Sequence, residues 1–420
     1  MMHRLGFIEK NIRAEVRRID FVSYPLLRVT ANLENAVLEA AKLLSNPSTI
    51  IGNLAYGVVA RKSVMRSTTY ESLLALRLIN NSILRISKPS FGDRQLIVKA
   101  LISATSEQVK FKVYKLDVKS FFESFRGEYI ADVLKRKSNM PVAVKEVVRA
   151  LINKNLHDGY AGLPRGLVIS SSLSDMLMED FDQKIIDDPR IFFYRRYVDD
   201  LTLITGASEQ DSEFLPFIES LLPPGLRFKQ KKKEIVLLNS CRPKDNAHGK
   251  ITKYLSFEYL GYSFNVASDE HNFNGDKNRH VWLDIGPSKV KKIKTRILKA
   301  YLDYIKNKQF DLLEKRIKHL TSNISLRDRG KGITRLSGIH FSYPLVDIEM
   351  SIALRELDRF FLSSLSSTSS KIFKRFNSAI SSSQRSRLAR HSFYYGAKNK
   401  RFYQLNLASL AQVQRCWKYG

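Results

Sequence analysis

Two adjacent carboxylates stand in the segment Tyr197-Val198-Asp199-Asp200, between the strand-like runs Phe192–Arg196 and Leu201–Thr205. Apolar residues on both sides predict that this turn lies within a core rather than on a solvent-exposed hairpin. Buried carboxylates carry a heavy desolvation cost, so the pair requires a cation. A third acid, Asp117, ends the alternating run Phe111-Lys-Val-Tyr-Lys-Leu116 and precedes a turn. If these strands are neighbours in one sheet, the three acids meet. Three convergent carboxylates hold two Mg²⁺ ions in the arrangement that activates a 3′-hydroxyl and stabilises a departing pyrophosphate. Between the acids, Gly162-Leu-Pro-Arg-Gly166 forms a rigid turn with close-approach backbone, and the residues after it, through Ser170, start a helix.

The elements that must position these residues are legible around them. Leu33, Val37, Ala40, Ala41 and Leu44 recur at helical spacing, as do Leu73, Leu76, Leu78, Ile79 and Ile83, so the first 110 residues read as mostly helical. Pro89-Ser90 marks a turn, and Arg94–Ser103 reads as another helix. From residue 111 strand signals appear at 111–116, 191–197, 201–205, 235–238 and 259–264, with helical stretches around 128–156 and 171–187. This mixture predicts an α+β or α/β core. After Pro287 the chain reads as helical, with Val290, Ile293, Ile297, Ala300, Tyr301 and Tyr304 on one stripe and lysines filling the rest.

The 420 residues carry 70 Lys+Arg against 41 Asp+Glu, a net charge of +29, which gives the chain an electrostatic reason to sit on nucleic acid. From residue 289 onward there are 28 Lys+Arg and 8 Asp+Glu, and nothing acidic follows Asp358. Phe373, Phe376, Phe393, Tyr394, Tyr395, Phe402 and Tyr403 interleave with these cations, so the tail is expected to stack bases and neutralise phosphates. The serine-rich stretches 363–370 and 381–386 read as flexible joints. Two cysteines, Cys241 and Cys416, exclude a disulfide framework or a thiolate zinc site and fit a reducing compartment. With neither a signal core nor a membrane-length apolar run, the chain is expected to be cytoplasmic and to have no membrane partner.

Five segments then occur in a recognisable order: LDVKSFFESF at 116–125, GLPRGLVISSSLSD at 162–175, YRRYVDDLTLIT at 194–205, FKQKKKEIVLLN at 228–239 and FEYLGYSF at 257–264. Across about residues 90–265 the chain resembles reverse transcriptases, in particular the bacterial group of retron, abortive-infection and defence-associated enzymes. The resemblance implies a right-hand α+β polymerase. Residues 1–110 would form a helical N-terminal region and fingers. Residues 111–265 would form the palm, an antiparallel sheet flanked by helices, with 123–160 contributing to the fingers. Residues 266–420 would form a helical thumb and basic extension.

The resemblance also implies roles. Asp117, Asp199 and Asp200 are the catalytic acids; together with Val118 they are the metal ligands, for two Mg²⁺ ions with Mn²⁺ as the alternative. Phe122 matches the steric gate, whose ring collides with a ribose 2′-hydroxyl, against the simpler reading of a core phenylalanine. Arg94 falls in the segment that contacts the incoming triphosphate, with Lys99, Arg61 and Lys62 as alternatives. Arg165, Gly166 and Ser170 lie beside the nucleotide, although many relatives carry glutamine where Arg165 stands and Ser-Pro where Ser170-Ser171 stand. Lys233 matches the lysine that protonates leaving pyrophosphate, with Lys232 an equal candidate. Tyr259, Leu260 and Gly261 resemble the primer grip, a tight hairpin.

The expected activity is therefore RNA-directed DNA synthesis from dNTPs, copying a structured non-coding RNA into a DNA product in bacterial antiphage defence. A homo-oligomer is compatible with this reading. Template-independent or protein-primed synthesis and a retron reverse transcriptase are the enzymatic alternatives, and an inactive RNA-binding scaffold is the non-enzymatic one. No RNase H acid set, integrase region or Cys-rich endonuclease finger follows, and Gly338-Ile-His-Phe-Ser-Tyr-Pro344 resembles the helical C-terminal region of the defence group.

Overall fold

The computed structural model describes residues 8–18, 20–46, 48–59, 62–87, 92–230, 233–239, 254–267, 278–327 and 334–418. Arg61, Lys232, Cys241 and the Pro89-Ser90 turn lie outside them. The described residues divide into two compact units, 1–97 with 110–237 and 98–109 with 238–420. The fold is α+β, with helices packed against largely antiparallel sheets.

In the first unit, β1 (Leu54–Val59) and β2 (Lys62–Ser67) pair antiparallel, Leu54 opposite Ser67 and Val59 opposite Lys62. This hairpin falls inside a region whose sequence reads as helical. Its β-branched Val58, Val59 and Val64 favour extended backbone and are the signal that marks it. The main sheet has the order β4-β5-β3-β6, built from β3 (Phe111–Asp117), β4 (Ile191–Tyr197), β5 (Asp200–Thr205) and β6 (Glu234–Leu238). β5 runs antiparallel to both β3 and β4. As an inner strand it buries every residue from Leu201 to Thr205, which is why that run shows no polar alternation.

Two long helices, Tyr70–Ile86 and Val168–Ile186, pack on one another, and the second also covers β4. Thr69 caps the first by accepting from the Ser72 N–H. On that helix Arg77 forms a buried two-pronged pair with Asp20, at 2.6 and 2.8 Å. The stretch expected as one helix around 128–156 is two, Gly127–Arg136 and Val142–His157, broken before Pro141.

In the second unit, β7 (Tyr254–Tyr259), β8 (Tyr262–Ala267) and β9 (Val281–Ile285) form an antiparallel sheet. The sequence suggested one strand over 259–264, but Leu260 and Gly261 turn the chain there, with φ of 47° and 82°. A second sheet has the order β11-β10-β12, from β10 (Asn323–Arg327), β11 (Thr334–Gly338) and β12 (Phe402–Leu405). These strands interrupt a region expected to be helical throughout.

The stripe Val290, Ile293, Ile297, Ala300, Tyr301 and Tyr304 is buried along the helix Pro287–Asn307, as its spacing predicts. Two further expectations for the tail need correction. Phe376 and Phe393 are fully buried, Phe376 stacked on Tyr301 with ring centroids 3.8 Å apart, so they build core rather than a base-stacking surface. The serine clusters are helix caps, not joints: Ser370 caps Lys371–Asn377, and Ser381 forms a capping box with Gln384 on Ser382–Ala389. Tyr395 and Phe402 do remain exposed. Among the described residues no helix is long and apolar enough to cross a membrane.

Candidate active site

The antiparallel register of β3 and β5 sets Asp117 directly opposite Asp200. The hairpin of β4 and β5 sets Tyr197 opposite Asp200, leaving Val198 and Asp199 as its two-residue turn. Val198 adopts φ 58°, a conformation a β-branched residue avoids at a cost of roughly 1–3 kcal/mol. The chain then continues past Asp117, where the Val118 N–H donates to the Asp199 carbonyl at 3.1 Å. The backbone thus brings together the three acids and Val118, although Asp117 stands more than 80 residues before the pair.

A buried arginine holds the turn. The Arg196 side chain is 2% exposed. It donates to both oxygens of Asp182, through Nε at 2.9 Å and Nη2 at 2.7 Å. Its Nη1 donates to Asp175 at 3.0 Å and to the Val198 carbonyl at 3.1 Å. Tyr194 adds its hydroxyl to Asp182 at 2.6 Å. The helix Val168–Ile186 therefore anchors the strand that leads into Asp199 and Asp200, a role the sequence reading missed. The signal was present in Arg196, a charged residue beside an apolar strand that had to find buried acids.

Asp117 is 6% exposed, and the Nζ of Lys229 donates to its Oδ1. Among the described residues of the FKQKKKE run, it is Lys229, the second, that bonds Asp117. Lys233 instead lies 3.6 Å from Glu219. Among the described residues no three His, Cys, Asp or Glu side chains are placed so that they could hold a metal ion. The donor chemistry nonetheless fits hard divalent ions: carboxylate and carbonyl oxygens, with an ammonium already balancing the most buried acid.

The loop between the acids is fastened at both ends. The Leu163 N–H donates to the Phe122 carbonyl and the Met65 N–H to the Arg165 carbonyl, both at 2.7 Å. A Cβ on Gly162 (φ 66°) would come within 2.4 Å of the Phe122 carbonyl oxygen, and one on Gly166 (φ 98°) within 2.2 Å of Val64. Only glycine lets the loop approach the Phe122–Glu123 backbone and β2 so closely. Ser170 is buried and donates to the Pro164 carbonyl at 2.6 Å, bracing the loop from inside. Arg165 pairs with Glu123, a residue the sequence reading did not single out. Phe122 is half-buried beside them.

A cleft of about 310 Å³ opens between this loop and the β1–β2 hairpin, lined by Tyr56, Lys62, Ser63, Ser120, Glu123, Asn155, Tyr160 and Arg165 among others. Lys62, one of the alternatives for triphosphate contact, faces this cleft; Arg94 opens the helix Arg94–Thr105 and is not among the lining residues. Tyr259, Leu260 and Gly261 form the β7–β8 hairpin of the second unit, where the Gly261 carbonyl accepts from the Gly286 N–H at 2.9 Å.

No curated protein matches the chain. Among solved structures, a Candida albicans telomerase in complex with a fragment of telomeric RNA aligns at 12% identity and a TM-score of 0.33, covering 81% of this chain and 53% of that one. An apo telomerase from Candida tropicalis aligns at 12% identity and a TM-score of 0.30, covering 93% and 58%. The chain thus spans little more than half the length of either. Residues 63–264 match the family model described as reverse transcriptase (RNA-dependent DNA polymerase), and that span holds Asp117, Asp199, Asp200, the glycine loop and the turn between β7 and β8. Over this span, just under half of the chain, the sequence is similar to reverse transcriptases.

Proposed function

We propose that this chain is an RNA-directed DNA polymerase that adds dNTPs to a 3′-hydroxyl and copies a structured non-coding RNA in bacterial antiphage defence. The observation that carries the chemistry is the pairing of Asp117 with Asp200 inside the matched span, with Val118 bonded to Asp199. Asp117, Asp199, Asp200 and the Val118 carbonyl would hold two divalent ions, Mg²⁺ or Mn²⁺. Bound there, such ions supply charge stabilisation for the attacking hydroxyl and the leaving pyrophosphate.

The chain's own residues do the rest. Arg196 fixes the turn that presents Asp199, and the glycine loop sets the wall of the cleft where Lys62 offers a cation to phosphate. Phe122 excludes a ribose 2′-hydroxyl. Residues 1–110 act as N-terminal region and fingers, 111–265 as palm and 266–420 as a basic thumb, with the β7–β8 hairpin as primer grip. The defence role is supported by the style of the PRGL loop and rests on analogy alone. The charge of the C-terminal third supports a nucleic-acid partner.

The test is incubation of the purified protein with single dNTPs and with mixtures, before and after nuclease removes co-purifying RNA, followed by sequencing of the bound nucleic acid. Incorporation that requires RNA and yields its complement supports the proposal. Incorporation that survives RNA removal points to template-independent synthesis, and a product branched to RNA points to a retron enzyme.

A further inference from the structure

We propose that the Glu123–Arg165 ion pair clamps the Phe122 ring in the position from which it selects deoxyribose, making Glu123 a positioning residue for sugar discrimination. The inference rests on the polymerase reading above. The guanidinium of Arg165 lies over the Phe122 ring, 5.4 Å from its centroid, within reach of a cation–π contact. That guanidinium is gripped by Glu123 through two bonds, Nε to Oε1 and Nη2 to Oε2, the latter at 3.0 Å. Two-pronged pairing fixes the plane of a guanidinium as well as its position.

The backbone on either side is also tied. The Phe122 carbonyl accepts from Leu163 and the Arg165 carbonyl from Met65, so ring, loop and β2 move together. What remains free to vary is the side-chain grip. Arg165 and Glu123 are 27% and 40% exposed, facing the cleft rather than buried in the core. An ordinary surface ion pair in such a place contributes little to stability. Its geometry instead gives it control of one ring face. Without Glu123 the guanidinium regains its rotamers, the ring loses its cover, and Phe122 yields to a 2′-hydroxyl.

The experiment measures kcat/KM for a dNTP and the matching rNTP in the wild type, Glu123→Gln, Glu123→Asp, Phe122→Ala and the Phe122→Ala/Glu123→Gln double variant. Because both substrates are read on one preparation, the ratio does not depend on how much of a variant folds. Glu123→Gln is expected to lower the dNTP preference about fivefold, and Glu123→Asp, which keeps the charge, to retain most of it. In the Phe122→Ala background, where ribonucleotides already enter, Glu123→Gln is expected to change the ratio no further. A Glu123→Gln ratio equal to wild type, or an equal loss in both backgrounds, overturns the clamp while leaving the polymerase reading intact. A wild type that incorporates neither substrate overturns that reading, and the clamp with it.

Discussion

Lys229 meets Asp117 twice: its ammonium donates to the carboxylate Oδ1, and its backbone N–H donates to the Asp117 carbonyl at 2.8 Å. The second bond fixes the Lys229 backbone beside Asp117, so the first is not an accident of a long side chain. An ammonium on this carboxylate competes with a divalent ion for the same oxygens. Lys229→Met is therefore expected to lower the Mg²⁺ concentration for half-maximal incorporation about fivefold, the scale of one charge interaction near a protein surface. Mg²⁺ titration of activity, paired with Mn²⁺ binding followed by electron paramagnetic resonance, checks this. An unchanged or raised requirement contradicts it.

Arg196 offers a sharper stability test. Its partner Asp182 is 2% exposed, so removing the guanidinium strands a buried carboxylate. Arg196→Met is expected to cost about 3–5 kcal/mol in denaturant unfolding. Arg196→Met combined with Asp182→Leu, which removes both charges, is expected to recover much of that loss.

His319 makes stability depend on pH. It packs against Trp417 with ring centroids 5.4 Å apart and the rings tilted by 37°, and its Nδ1 finds no hydrogen-bond partner. Burial, with a smaller contribution from the Arg296 charge, pushes its pKa down from 6.5 to about 4. The folded state therefore resists the proton that the unfolded state accepts. The associated stability is complete above about pH 6.5 and is lost as pH falls towards 4, amounting to about 2 kcal/mol between pH 7 and 5. Thermal melts at the two values are expected to differ more for wild type than for His319→Gln. Equal pH dependence in both contradicts the assignment.

What could be read from the chain follows a physical division. The run ending at Asp117 and the turn at Asp199–Asp200 are local patterns, and both strands form where alternation and apolar runs place them. Their adjacency needed only that two short strands share a sheet. Arg196, Lys229 and Glu123 act through partners 14, 112 and 42 residues away, and no local spacing announces such contacts. The β1–β2 hairpin was missed because apolar residues on both sides of it repeat at helical intervals. Phe376 and Phe393 look like stacking platforms by composition, and only packing on neighbouring helices shows them to be core. The serine clusters carried a capping pattern, Ser381 with Gln384, that low-complexity composition obscured.

The central claim is that Asp117, Asp199 and Asp200 form one polymerising centre. Its most direct test is the rate of dNTP incorporation by the Asp199→Ala/Asp200→Ala variant, with RNA binding and melting temperature measured on the same preparation. Incorporation is expected to vanish while RNA binding and the fold persist, because the two acids sit on a turn held by Arg196 rather than by their own side chains. A double variant that incorporates dNTPs at the wild-type rate would contradict the account.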